Sequence, residues 1–163
     1  MLFDLVGQLR EAVESSPQLL QWLVVMMAGS LPFIESYYGA VIGIVAGVTP
    51  LVAIPAAICG NIVSTLGCIA VGSRACNSSS ASKPKKSKKI SARRERLQYR
   101  FERFGVAGVS LTSQAILPSQ LSSLVLIGLG ASPRRVAIWQ SISICLWGIT
   151  YGSLAIFGFA VLH

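Results

Sequence analysis

The sequence predicts an all-α integral membrane protein. It has two re-entrant helical hairpins entering from opposite faces, about three transmembrane helices and an inverted-repeat plan. Three observations carry this reading. Of the 163 residues 53% are hydrophobic and 12% charged, with a mean hydropathy of +0.65; a soluble chain needs more charged surface than that. No charged residue stands between Phe104 and Ala131, or between Val136 and Leu162, and the second run exceeds the roughly 20 residues a helix needs to cross a bilayer. The net charge of +8 is concentrated: eleven Lys/Arg and two Glu lie between Arg74 and Arg103, the pattern of a cytoplasmic loop under the positive-inside rule.

Residues 1–16 come first. Leu2, Leu5, Val6, Leu9 and Val13 recur at helical spacing, with Asp4, Arg10, Glu11 and Glu14 opposite. That is an amphipathic helix for the membrane interface. The opening has no basic n-region and no small-residue cleavage site, so it does not read as a signal peptide. Residues 17–73 form the first membrane half. Pro17–Leu31 is an apolar helix, Pro32 interrupts it, and residues 32–50 are peppered with Gly39, Gly43 and Gly47. Leu51–Gly72 is a second long apolar segment, broken at Pro55 and Gly60-Asn61. Residues 74–103 follow as the basic cytoplasmic loop: a Ser/Lys tether over 76–89, then an amphipathic helix in "ISARRERLQYRFERFG". Clustered basic residues beside a membrane also attract anionic lipid headgroups. Nucleic acid is not an expected partner, because no fold surrounds the cluster.

Residues 104–163 form the second half, and topology is decided there. "FGVAGVSLTSQAILPSQLSSLVLIGLGASPRR" is apolar at its ends and polar in the middle. A single crossing would put Arg134 and Arg135 opposite the basic loop, against the charge rule. A hairpin turning at Pro118 keeps every arginine on one side. Backbone broken at membrane depth must face protein or a watery cavity, which suits Thr112, Ser113, Gln114, Ser119 and Gln120. Residues 136–162 then cross outward. Counting back, Pro17–Leu31 crosses outward and residues 32–50 dip in and return. Proline- and glycine-interrupted segments at corresponding places in two halves point to a transport site near the midplane.

"LPFIESYYGAVIGIVAGVTPLVAIPAAICGNIV" resembles the small multidrug export protein family, through Pro32, Glu35, Gly39, Ala40, Gly60 and Asn61. The later stretch "RFGVAGVSLTSQAILPSQLSSLVLIGLGASPRRVAIW" resembles it more loosely, and the likeness covers roughly residues 30–160. The family is similar to the wider DedA-like group, in which two re-entrant hairpins, one with an acid and one usually with an arginine, meet in the membrane. What the resemblance implies is export of small compounds or translocation of lipid. The chain departs from it where Ser36, Tyr37 and Tyr38 follow the acid in place of an arginine. The hairpin arginines of the DedA type are also missing, with Gln114 and Gln120 nearby.

Glu35 is the one acid in an apolar segment. Two readings stand: a cap in the first turn of a helix beginning at Pro32, stabilised by the helix dipole, or an acid facing a polar cavity, where it exchanges a proton or binds a cation. The candidate substrate- and proton-binding set is Glu35, Tyr38, Asn61, Ser113, Gln114, Pro118 and Gln120. Arg103, Arg134 and Arg135 would form a headgroup rim. Each has a structural alternative: interface belt for Tyr38, helix–helix hydrogen bond for Asn61, and satisfaction of broken backbone for the polar residues around Pro118.

The expected function is proton-coupled export of small cationic or amphipathic compounds. The alternatives are a DedA-like translocase (flippase) for an anionic lipid or lipid carrier, and a scaffold whose basic loop binds a partner. No enzyme, metal site or cofactor is expected. The four cysteines form no CxxC, the sole histidine is His163, and no carboxylate pair lies in the apolar segments. Membrane lipids, a small-molecule or lipid substrate and a second copy of the chain are the expected partners. The expected location is a bacterial cell membrane, multi-pass, with the basic loop cytoplasmic.

Overall fold

The computed structural model describes residues 2–79, 105–114 and 116–162, and among them every regular element is helical. The tether, most of the basic loop with Arg103, and the amphipathic helix expected after it lie outside the described residues. The elements are α1 (Leu2–Ser15), α2 (Gln21–Ser30), α3 (Glu35–Val45), α4 (Pro50–Ser79), α5 (105–113), α6 (Ser119–Gly128) and α7 (Pro133–Leu162). Two of them, over Pro50–Cys76 and Pro133–Gly158, are long and apolar enough to cross a membrane.

The first half differs from the sequence expectation in its boundaries. Pro17–Leu31 was expected to span, but its helix has ten residues, about 15 Å at 1.5 Å per residue, half a bilayer core. The chain turns at Leu31–Ile34 and returns as the eleven-residue α3, so the hairpin is α2–α3 with Pro32 at its tip. The glycines of 32–50 let helices touch. A Cβ on Gly39 would stand 3.0 Å from the Gly29 Cα, and one on Gly43 would stand 2.9 Å from a Val25 methyl. Those two pairings run antiparallel. Nor does α4 break: it is helical through Pro55, Gly60 and Asn61.

α1 packs into the first core. Val13 is fully buried, and Val6 and Leu9 pack with it against a core of Val25, Ala28, Ile34, Ala40 and Ala53. Its outer face carries the Arg10–Glu14 pair, 2.6 Å apart.

The chain divides into two compact units: residues 1–63 with 144–163, and residues 64–143. In the first, the later part of α7 runs antiparallel to early α4 and parallel to α3. Gly148 faces Ile58 and Ser36, and Gly152 faces Ile54 and Ala40. In the second, α6 runs beside late α4, with Gly72 against Leu124, over a core of Ile69, Val109, Leu117, Leu126 and Val136.

Each unit builds its hairpin-to-long-helix junction the same way. At the end of α3 the Val48 N–H donates to the Gly43 carbonyl (2.9 Å) and the Gly47 N–H to Ile44 (3.0 Å). At the end of α6 the Ala131 N–H donates to Leu126 (3.0 Å) and the Gly130 N–H to Ile127 (2.9 Å). This is the Schellman closure, which requires a left-handed residue; Gly47 has φ +87° and Gly130 φ +90°. Thr49-Pro50 and Ser132-Pro133 then start α4 and α7, proline being suited to the first helical position. The equivalence is 83 positions, as 130 is from 47 and 133 from 50.

The same offset relates side-chain contacts. Ser36 against Gly148 matches Ser119 against Thr65; Tyr37 against Trp147 matches Gln120 against Ser64; Gly39 against Ala57 matches Ser122 against Gln140. The two halves therefore repeat at the level of contacts, although few residue types are shared.

Candidate functional site

The first unit holds the acid. Glu35 opens α3 and is fully buried, as is Ser36, whose hydroxyl donates to the Ile144 carbonyl at 2.9 Å. The tight turn at Pro32 delivers it there. The Glu35 N–H reaches back to the Leu31 carbonyl at 3.0 Å, and two non-glycine residues, Phe33 (φ +73°) and Glu35 (φ +54°), take left-handed backbone. That geometry costs roughly 1–2 kcal/mol per residue and persists where surrounding structure over-determines it, which is common at functional positions. Phe33 is 51% exposed, so it recovers little of this by burial. Phe33→Gly is expected to raise stability by about 1 kcal/mol, read as a higher melting temperature in detergent. A lower one would show that the ring has a packing role.

Beside the acid on α3 stands an aromatic cluster with α7. Tyr37 lies 4.8 Å from Tyr38, 5.4 Å from Tyr151 and 6.4 Å from Trp147, centroid to centroid, and Trp147 lies 5.8 Å from Tyr151. The planes are tilted, the arrangement aromatic quadrupoles favour. Tyr38, one of the expected site residues, belongs to this cluster and is 38% exposed. Asn61 is fully buried in α4 within the same unit. Open clefts of about 350 and 300 Å³ flank Trp22, and Glu35 lines neither of these two.

Ser113, Gln114, Pro118 and Gln120 belong to the second unit. The turn there is held by the Ser113 carbonyl, which accepts from the Ile116 and Leu117 N–H groups at 2.8 Å each, and by Pro118, whose carbonyl accepts from the Ser122 N–H. Gln120 is buried and its amide donates to the Ser64 hydroxyl at 2.9 Å. Gln114 is also buried, and neither end of its amide has a hydrogen-bond partner among the described residues. Thr65 and Gln140, which the sequence reading passed over, complete the set: the Thr65 hydroxyl lies 3.0 Å from that of Ser119, and the Gln140 amide donates to Ser122 at 2.9 Å. Gln140 had a signal, as a lone amide in the uncharged run of α7; Ser64 and Thr65 had none.

Arg134 and Arg135 are exposed in the first turn of α7. Among the described residues Glu35 is the buried charged side chain, and no three His, Cys, Asp or Glu come together as a metal site. Among the described residues Cys59, Cys68, Cys76 and Cys145 form no disulfide. Comparison of the chain with known protein families, curated proteins and solved structures returns no match.

Proposed function

We propose that the chain is a small multi-pass secondary transporter that exports small cationic or amphipathic compounds in exchange for protons. The observation that carries this reading is the fully buried Glu35 in an apolar helical protein. A carboxylate buried in such a protein can take up a proton or bind a cationic substrate. The two then compete for one group, which is the minimum needed for exchange. The partly exposed aromatic cluster beside it supports a cationic cargo, since aromatic faces attract cations.

In this reading α2–α3 and α5–α6 are re-entrant hairpins, each helix being too short to span, and α4 and α7 are the spans. The basic stretch 74–103 is cytoplasmic in a bacterial inner membrane, in keeping with the resemblance to small multidrug export proteins and the DedA-like group. Two spanning helices give little enclosure, so the working unit is a homodimer. An anionic lipid headgroup as cargo gains less support, because Arg134 and Arg135 are exposed at a helix end.

The test uses proteoliposomes with an imposed pH gradient and ethidium or tetraphenylphosphonium as cargo. Uptake that follows the gradient and collapses with a protonophore is expected. With Trp22 and Trp139 replaced by Phe, cargo should quench the remaining Trp147. Gradient-independent accumulation, or transbilayer movement of labelled lipid without cation uptake, would overturn the reading.

A further inference from the structure

The two clefts of the first unit are parts of one groove. Gln18, Gln21 and Thr49 line the outer, Met26, Pro55, Ala56 and Cys59 line the inner, and Trp22 and Val52 wall both. α2 and α4 run side by side in one direction: a Cβ on Gly43 would meet Val25 and Ala53, and one on Gly39 would meet Gly29 and Ala57. The clefts therefore follow one another along the α2–α4 seam, from the end where both helices begin. The seam closes at its inner end, where the two backbones touch. A Cβ on Gly29 would fall on the Ala57 carbonyl, and one on Gly60 on that of Met26.

The length of the groove is that of one lipid chain. From Thr49 to Cys59 the chain advances ten residues, about 15 Å at a rise of 1.5 Å per residue. That is half of a hydrocarbon core of roughly 30 Å, the depth of one leaflet. The lining grades from amides and a hydroxyl at the rim to thioether, methyl, proline ring and thiol inside. Trp22, 46% exposed, stands at the change, the level between headgroups and chains that indole favours. No charged side chain lines either cleft. A phosphate held there would lack the Arg or Lys that recognises such groups. Amides and a hydroxyl instead suit hydroxyl groups, which donate and accept in turn.

We infer that the α2–α4 groove binds one neutral glyceride, its glycerol hydroxyls on Gln18, Gln21 and Thr49 and one acyl chain along Trp22, Met26 and Cys59. The site rests on the reading of α4 as a membrane span. It does not depend on Glu35.

The test is quenching of Trp22 by chain-brominated lipid in phosphatidylcholine nanodiscs, in protein carrying Trp139→Phe and Trp147→Phe. In discs made wholly of brominated phosphatidylcholine Trp22 should be quenched, because lipid reaches the seam. As a guest in unbrominated discs, brominated monoacylglycerol should half-quench Trp22 at a mole fraction roughly tenfold lower than brominated phosphatidylcholine, as for one or two added hydrogen bonds. Brominated lysophosphatidic acid, the same chain and glycerol with a phosphate added, should show no such preference. Gln18→Leu with Gln21→Leu should remove the preference, as should Ala56→Phe, which fills the inner cleft. A bimane on Cys59, with the other three cysteines replaced by alanine, is the second reporter if the tryptophan variant does not fold. Glu35→Gln should leave quenching unchanged, so this proposal and the proton-exchange reading fail separately. Trp22 left unquenched in fully brominated discs, as when a second copy of the chain covers the seam, would overturn the inference. So would an equal preference for lysophosphatidic acid, the same mole-fraction dependence for all three lipids, or a preference indifferent to the glutamine changes.

Discussion

Glu35→Gln is expected to abolish gradient-driven uptake of cation while leaving the protein folded. The amide is nearly isosteric with the carboxyl, keeping one acceptor oxygen and replacing the other by an N–H donor, and the Ser36–Ile144 bond does not involve Glu35. What disappears is the group that can carry either a proton or the charge complement of a cation. Removing one partner of a buried charge pair costs about 3–5 kcal/mol, so cation binding should fall by roughly 100-fold or more. Coupling is reciprocal: a cation that displaces a proton must itself be displaced by one. In the variant, ethidium uptake should therefore become insensitive to the pH gradient, and cation binding should release no proton. Thermal stability should be equal or higher, because a neutral amide escapes the desolvation of a buried charge. Glu35→Asp, which keeps the charge on a shorter arm, should retain pH sensitivity with weaker binding. Wild-type, pH-driven transport by Glu35→Gln in proteoliposomes would sink the proposed function.

How much of this was legible in the sequence divides along physical lines. Apolar length marks helices that can span, so Pro50–Cys76 and Pro133–Gly158 were readable, as was Glu35 as an outlier. Hydropathy does not register where a helix stops, however. The apolar run Pro17–Leu31 looks continuous, yet its helix begins only at Gln21, after a turn in which the Leu20 N–H bonds to the Pro17 carbonyl at 2.7 Å. Glycine misled in the same region. Gly39 and Gly43 read as marks of an interrupted segment, but inside α3 they serve as contact surfaces against α2. The repeat was hidden because it conserves contacts more than residue types: Ser36 and Ser119, Gly47 and Gly130, and Pro50 and Pro133 are shared, while Tyr37 becomes Gln120 and Ala57 becomes Gln140. The partners of Ser119 and Ser122 could not be inferred, because Thr65 and Gln140 are distant in sequence and meet them only through the fold.

The contact role of glycine makes a prediction whose sign reverses within one helix. Gly60→Ala should destabilise the protein severely, whereas Gly67→Ala, seven residues along α4, should be neutral or stabilising. Intrinsic helix propensity favours both changes by roughly 0.5–1 kcal/mol, so propensity alone predicts two gains. At Gly67 nothing lies within 4 Å of the new methyl, and the gain stands. At Gly60 the new Cβ would fall on the carbonyl oxygen of Met26 in α2. That atom is backbone and cannot rotate aside, so α2 and α4 must separate. The same approach is used at Gly29, where a Cβ would meet the Ala57 carbonyl, and separation therefore loosens both points at once. Between apolar helices in lipid, association rests on close approach at small residues rather than on hydrophobic burial, so the lost contacts are not recovered from solvent. Overpacking of this kind costs about 1–3 kcal/mol or more. For a chain of this size that lowers the melting temperature by roughly 3–10 °C, measured for both variants in the same detergent. If Gly60→Ala melts at or above the wild-type temperature, the α2–α4 contact does not hold the first unit together, and the burial of Glu35 within that unit loses its structural basis.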